Sequence, residues 1–214
     1  MADAELNWPK RGDRLFRDDL PDWQHTGVAG QTFDDITGWC RCVDGYREAA
    51  NRVVESALAR DARGMFDVLI YPVVFLYRHH VELALKIIIR LGGRLYDQEQ
   101  PTPGHHHLIP LWQKARAVLE RRWGKGEESV DATEALIGEL DAFDPASFSF
   151  RYPETKTGEA SLPEPLAANL RHLAVTANSM GAFLDSCIYG LWDDLDDKQT
   201  FLADMREMYG GEVW

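Results

Sequence analysis

Cysteine is scarce in this sequence. The chain of 214 residues has three cysteines, Cys40, Cys42 and Cys187, and an odd number cannot pair completely within one chain. Their spacing also lacks the four-ligand pattern of a structural zinc site. The composition therefore disfavours a secreted, disulfide-stabilised fold, and we expect a reducing compartment.

Basic residues are also few in relation to acidic ones. The sequence has 23 Lys and Arg against 35 Asp and Glu, which gives a formal net charge of −12. A chain with this charge repels a polyanion at long range, which disfavours indiscriminate binding to DNA, RNA or an anionic membrane. Any contact with nucleic acid has to be local.

Long uninterrupted apolar runs are missing as well. The two longest runs, 65–77 and 81–91, are separated by Arg78, His79 and His80, which would lie near the middle of a bilayer at a cost of several kcal/mol. The first residues, MADAELNWPKRGDRLF, contain no apolar stretch of the kind found in a secretory signal. We therefore expect a soluble cytoplasmic protein.

The most informative feature that is present is a polar lane within the apolar stretch 71–91. Arg78, Glu82, Lys86 and Arg90 fall four residues apart, so an α-helix places them on one face. Apolar residues such as Val81, Leu85 and Ile88 point elsewhere on the same helix. This pattern predicts the central helix of an all-α bundle.

Apolar residues recur at three and four positions in about five segments, which predicts an all-α helical bundle of about five helices. The expected helices are 33–59, a second helix that ends at Leu91 before Gly92 and Gly93, 107–123, 129–143 and 166–192. The DDLDD stretch, 193–197, is expected to end the fifth helix before a short helix at 201–209. The alternation in FSFRY, 148–152, predicts an extended segment. Residues 1–30 are expected to form an irregular arm and 31–214 a single helical-bundle domain.

Three motifs give the chain a resemblance to the HEPN family of prokaryotic helical-bundle domains. YRHHVELALKIII, 77–89, resembles the pattern of that family's second helix, and GHHHLIPLWQKA, 104–115, resembles the Gly/Thr-His-x-Leu-x-x-Leu signature that opens the next helix. FRYP, 150–153, resembles an Arg-Tyr-Pro turn before the last helix. The order and spacing of the three motifs also agree with the family. The resemblance implies a bundle that forms a homodimer, often encoded with a nucleotidyltransferase or an antitoxin partner in defence systems.

The ribonuclease signature of the family is absent. HEPN ribonucleases use an Arg that is followed by a His after four to six residues, whereas Arg151 is followed by YPETKT. No other arginine in the chain has a histidine at that distance. RNA cleavage therefore does not follow from the resemblance, because a fold alone does not establish a site.

The first candidate site is the polar lane itself. Arg78, His79, His80 and Glu82 place a cation, two bases and a carboxylate within five residues, and Arg151 of the FRYP motif could join them. A guanidinium can hold a phosphate while a histidine that titrates near neutral pH moves a proton. The alternative is a ladder of charged residues in a bundle groove that satisfy one another, with Arg151 serving structural pairing.

Two further clusters have alternative interpretations. His105, His106 and His107 would need a partner such as His79, His80 or Glu82 to hold zinc, and otherwise contact a neighbouring helix at its start. The stretch 114–125 is locally basic and, with Trp112, Trp123 and the separate Tyr152, suggests contact with nucleic acid. A solvated helix C-terminus explains the same charges. The basic residues are Lys114, Arg116, Arg121, Arg122 and Lys125.

The sequence leaves three functional hypotheses. The favoured one is a catalytically degenerate module that binds RNA, a nucleotide or a partner protein in a bacterial defence or toxin–antitoxin setting, with no cofactor. The second is a metal-independent ribonuclease with a rearranged site built from Arg78, a histidine, Glu82 and Arg151. The third is a metal-dependent hydrolase that uses the histidine clusters.

Overall fold

The architecture is an all-α helical bundle, as the sequence predicted. The computed structural model describes residues 8–16, 23–30, 35–59, 63–162 and 164–208. These contain the helices α1 (Asp35–Ala59), α2 (Arg63–Leu95), α3 (Leu108–Trp123), α4 (Glu128–Phe143) and α5 (Leu170–Met208). No strand occurs in these ranges, where the one β-bridge joins Glu154 to Ala160.

The chain divides into two compact units, Met1–Thr32 and Phe33–Trp214. In the first unit, the described residues include one short 3-10 helix, Trp23–His25. The second unit contains all five α-helices, and in it α2 packs against α1, α3 and α5. Side chains of α2 such as Val81, Leu85 and Ile88 are fully buried in the main apolar core. The helix that the polar lane predicted is therefore the central helix.

By length and composition, residues 64–95 of α2 could cross a membrane. Half of that apolar window is buried inside the protein, where α2 packs against α1, α3 and α5. The central position of α2 accounts for its apolar character without a bilayer.

The predicted end of α2 was wrong. The helix continues through Gly92 and Gly93 to Leu95, and the left-handed residue that follows it is Asp97, with φ of 55°. Gly92 serves close packing instead of termination, because a Cβ at this position would lie 2.5 Å from the side chain of Val118 on α3. The carbonyls at the end of α2 accept hydrogen bonds from Lys198 of α5, at 3.2 Å from Arg94 O and 2.9 Å from Leu95 O.

The predicted limits of the last helix were also wrong. Helix α5 begins at Leu170 and continues through DDLDD to Met208, so the residues expected to form a separate short helix belong to it. A cation from another element compensates part of its acidic stretch, since Arg122 of α3 pairs with Asp194. The predicted extended segment FSFRY instead forms turns, in which the amides of Arg151 and Tyr152 donate to Phe148 O.

Candidate functional site

The polar lane of α2 forms a buried ion cluster. Arg78 has no exposed surface and Glu82 is 1% exposed. Glu82 Oε2 accepts from Arg78 Nη1 at 3.2 Å, and Glu82 Oε1 accepts from Lys86 Nζ at 2.9 Å. Further along the lane, Arg90 donates to Thr102 Oγ1 at 2.8 Å. The spacing of four residues thus places these side chains on one face, as predicted. The loop between α2 and α3 and the loop between α4 and α5 cover that face.

Arg78 joins α2 to both of these loops. Its Nη2 donates to His106 O at 2.7 Å, and its Nε donates to Asp144 O at 2.9 Å. The Asp144 carboxylate lies 3.4 Å from Arg78 Nε and accepts the amides of Phe148 and Ser149 at 2.5 and 2.9 Å. The guanidinium is therefore used in holding the loops and presents no donor to solvent in this conformation.

Glu82 is the centre of the cluster. His106, which is 55% exposed, donates from Nδ1 to Glu82 Oε1 at 2.8 Å, and His79 Nδ1 lies 3.9 Å from Glu82 Oε2. Burial alone would raise the pKa of Glu82, but His79, Lys86 and His106 together lower it to about 2. Burial also lowers the pKa of Arg78, although Asp144 and Glu82 oppose this effect. Glu82 is thus a permanent anion that several donors stabilise.

The two histidines of the lane face different surroundings. His80 is fully buried, its Nδ1 lies 3.1 Å from Val43 O, and burial lowers the pKa of its ring. His79 is partly exposed and lies between two aromatic rings, stacked on Phe75 with centroids 5.7 Å apart and edge-on to Tyr46 at 4.4 Å. His80 therefore belongs to the core, and His79 is the histidine of this pair nearer to solvent.

Arg151 does not join the buried cluster. It is exposed, and its Cζ lies 5.6 Å from the ring centroid of Phe75 and 5.7 Å from that of Tyr152. In the described contacts it reaches neither Arg78 nor Glu82. The structure therefore gathers Arg78, His79 and Glu82 but does not bring Arg151 to them, and the arrangement is that of a structural ladder.

The histidine cluster after the Pro-Gly turn is not arranged as a metal centre. His105 and His107 have ring centroids 5.9 Å apart, while His106 turns towards Glu82. Among the described residues, no three His, Cys, Asp or Glu side chains converge as metal ligands would. The contact of His106 with the neighbouring helix agrees with the non-metal interpretation of this segment.

The basic stretch 114–125 is split by its ion pairs. Arg116 contacts Glu120 and Asp131, each at 2.7 Å, and also Glu134. Arg122 is bound to Asp194. Hydrogen bonds to these carboxylates raise the pKa of Arg116 and of Arg122. Both arginines keep their charge, but carboxylates compensate it locally. Arg116 and Arg122 are therefore not among the cations that can attract a phosphate.

Of the three remaining cations of the stretch, Lys114 and Arg121 line a cleft of about 360 Å³ between the end of α2, the loop 96–107 and α3, whereas Lys125 does not line it. Arg121 Cζ lies 3.7 Å from the ring centroid of Tyr96, and its Nη1 lies 3.4 Å from Gln98 Oε1. Within the described residues, neither cation contacts a carboxylate. The cleft, defined by Lys114, Arg121, Tyr96 and Gln98, is called the cationic cleft below.

The aromatic residues that sequence reasoning chose for stacking are placed differently. Trp112 is 1% exposed in the core, and Trp123, which is 40% exposed, packs close to Gly190. Tyr152 stacks on Phe148 at 4.6 Å and makes no described contact with the basic stretch. Sequence reasoning missed Tyr96 and Gln98, although YDQEQP directly follows α2 and a loop that bears polar and aromatic residues beside a basic helix is a usable signal.

Comparison of the chain with protein-family models, with curated proteins and with solved structures gives no match. The geometry described above and the three sequence motifs are therefore what any functional proposal has to rest on.

Proposed function

We propose that this protein is a binding module for a nucleotide or a short single strand of RNA, held in the cationic cleft. The observation that carries the proposal is the separation of the basic stretch into neutralised and unneutralised cations. Arg116 and Arg122 are engaged by carboxylates, whereas Lys114 and Arg121 face one cleft together. Two cations in a pocket suit a phosphate, and about 360 Å³ falls within the range of roughly 300–1,000 Å³ usual for small-molecule sites.

The local charge supports an anionic ligand despite the acidic composition. The acidic residues of the loop beside the cleft have cationic partners of their own, since Asp97 binds Lys198 at 2.7 Å and Glu99 lies 3.8 Å from Arg94. Their fields are therefore partly compensated at short range. A ligand with few phosphates suits this setting better than a long polyanion, because the net charge of −12 acts at longer distances.

The cleft also offers surfaces for a base. The guanidinium of Arg121 already lies over the ring of Tyr96, so its outer face is available as a planar platform on which a base can stack. Gln98 and Gln100 carry amides that can donate to and accept from the edge of a base. Pro101 and Pro103 add apolar wall. The cleft thus combines a phosphate attraction with a stacking surface.

The test is equilibrium binding of two fluorescent probes, an ATP analogue and an oligoadenylate of about eight residues, each measured by anisotropy. Lys114→Gln and Arg121→Gln are each expected to weaken binding about 10- to 100-fold, because a hydrogen bond to a charged group contributes about 1.5–3 kcal/mol. If RNA is the ligand, each variant should also lower the salt dependence by about 0.7 in log–log slope.

The matched controls are Arg116→Gln and Arg122→Gln, which remove a cation from the same helix but from the neutralised set. They are expected to change affinity less than about threefold. Equal losses of affinity in all four variants would show that binding depends on the total positive charge of α3 and not on the cationic cleft. Absence of binding by both probes would refute the proposal.

The same samples distinguish binding from cleavage. The ribonuclease hypothesis needs Arg78 at the phosphodiester, but Arg78 is buried and its donors are occupied. We therefore propose that labelled RNA stays intact, with or without EDTA. Cleavage that resists EDTA would favour the ribonuclease, and cleavage that EDTA abolishes would favour a metal-dependent hydrolase.

The resemblance to HEPN domains supports a wider setting for this module. On that basis we propose a role in bacterial defence or a toxin–antitoxin system and a homodimeric state. The exposed apolar residues Met65 and Val68 in the first turns of α2 support a surface on which two copies can associate. Sedimentation of the protein with and without Val68→Glu measures whether such a dimer forms.

A further inference from the structure

A second surface, which shares no lining residue with the cationic cleft, consists of two adjoining apolar cavities. One has a volume of about 160 Å³ and lies among α2, α4 and α5, lined by residues such as Leu140 and Met180. The other, of about 620 Å³, lies between the first turns of α2 on one side and Leu162 with residues 164–168 on the other. Phe150, Leu166 and Ala168 line both cavities. The apolar surface therefore extends from α4 across to the beginning of α2, and we refer to it as the twin groove.

Large apolar side chains at the edges of the twin groove remain in contact with solvent. Phe143 is 45% exposed at the end of α4, and Tyr71 is 44% exposed on α2. Between them, residues 164–169 have no regular secondary structure. Paired apolar cavities with exposed aromatic residues at their edges resemble the groove that receives the anchor residues of an amphipathic helix.

The charged side chains in the described lining of the twin groove are all acidic. Asp67 and Glu164 line the larger cavity and Glu139 lines the smaller one, and all three side chains are exposed. Among the described residues that line either cavity, none is Lys, Arg or His. In the described contacts, none of the three carboxylates has a cationic partner. This surface thus differs from α3, where acids and arginines pair with each other.

From these observations we infer that the twin groove docks the apolar face of a basic amphipathic helix that belongs to a partner protein. The two cavities accept two apolar anchors of the helix, and flanking Lys or Arg residues meet Asp67, Glu139 and Glu164. The same carboxylates repel nucleic acid and anionic lipid, so these ligands do not suit the surface. The inference is independent of ligand binding in the cationic cleft.

The test uses two designed peptides of roughly 18 residues, about five helical turns, which share one leucine face. One peptide has lysines on its polar face and the other has glutamates. The lysine peptide is expected to bind with a micromolar Kd, and the glutamate peptide at least about tenfold more weakly, as measured by fluorescence anisotropy.

Charge and apolar contacts are tested separately with matched variants. Asp67→Asn, Glu139→Gln and Glu164→Gln combined should weaken binding of the lysine peptide roughly 3- to 100-fold. The control combines Asp193→Asn, Asp196→Asn and Asp197→Asn on the exposed surface of α5, which changes net charge equally, and should have less than about a twofold effect.

For the apolar contact, Phe143→Ser should weaken binding about tenfold, whereas Tyr189→Ser, at a 63% exposed position of α5, should leave it unchanged. Equal binding of the two peptides, or equal losses in the two charge variants, would overturn the inference. Self-association of the protein that Phe143→Ser abolishes, without peptide binding, would also overturn it, because the twin groove would then be an interface between copies of this chain.

Discussion

Replacing Glu82 by glutamine tests whether the polar lane of α2 is a structural cluster. Glu82 is 1% exposed and serves Arg78, Lys86 and His106 at once. In Glu82→Gln, Arg78, Lys86 and His106 keep their positive charges or N–H donors. They lose the negative charge that compensates them. Buried charges that lose a partner are strongly destabilising, by about 3–5 kcal/mol.

The pKa of Glu82 gives an independent magnitude. It falls from 4.5 to about 2 on folding. Since one pKa unit corresponds to about 1.4 kcal/mol, the ionised carboxylate contributes about 3 kcal/mol to the free energy of unfolding at neutral pH. The folded-state pKa is depressed, so this contribution is complete above about pH 4.5 and is lost as the pH falls towards 2.

Urea unfolding of the wild type and Glu82→Gln, followed by far-UV circular dichroism between pH 7 and pH 3, measures both effects. The variant should be about 3 kcal/mol less stable at pH 7, and the difference should shrink below pH 4.5. Glu48→Gln is the control, because Glu48 forms an exposed pair with Arg52 that contributes about 0.5 kcal/mol or less. A difference below about 1 kcal/mol at pH 7, or one that does not change with pH, would refute a structural role for the cluster.

Two further predictions concern the core. Gly92→Ala should destabilise the protein by about 1–3 kcal/mol because the new Cβ meets Val118 at 2.5 Å. Gly138→Ala is the control, since nothing lies within 4 Å of its Cβ, and it should stabilise α4 by about 0.5–1 kcal/mol. Thermal unfolding of both variants measures these differences. Because burial lowers the pKa of His80 below its ordinary 6.5, the contribution of its neutral ring is complete above about pH 6.5 and declines at lower pH. The urea midpoint of the wild type should therefore fall between pH 7.5 and 5.5, and the fall should be smaller in His80→Gln.

Much of the fold was predictable because apolar periodicity directly determines which face of a helix is buried. The bounds of α1 and α3 agree with the sequence within about two residues. Two of the errors occurred where residues that were expected to end a helix have other contacts. Gly92 makes room for Val118, and the acidic stretch in α5 is tolerated because Arg122 lies beside Asp194. Both effects depend on contacts between distant elements, which periodicity does not contain.

The candidate sites were predictable to a smaller extent for a similar reason. The spacing of Arg78, Glu82 and Lys86 correctly predicts a shared face, but only the fold shows that the loops around His106 and Asp144 cover it. In the basic stretch, the acids that neutralise Arg116 include Asp131 and Glu134 of another helix. A count of charges along the chain therefore overestimates the cations that a ligand can meet.

The contacts of Arg78 also determine how the protein can open locally. One guanidinium holds the carbonyl of His106 in one loop and those of Asp144 and Pro145 in another, so displacement of Arg78 releases both loops at once. The two loops, nearly forty residues apart in sequence, therefore form a single cooperative unit whose amides should exchange with solvent together. Thermal motion on this side of the bundle would then occur in one concerted step.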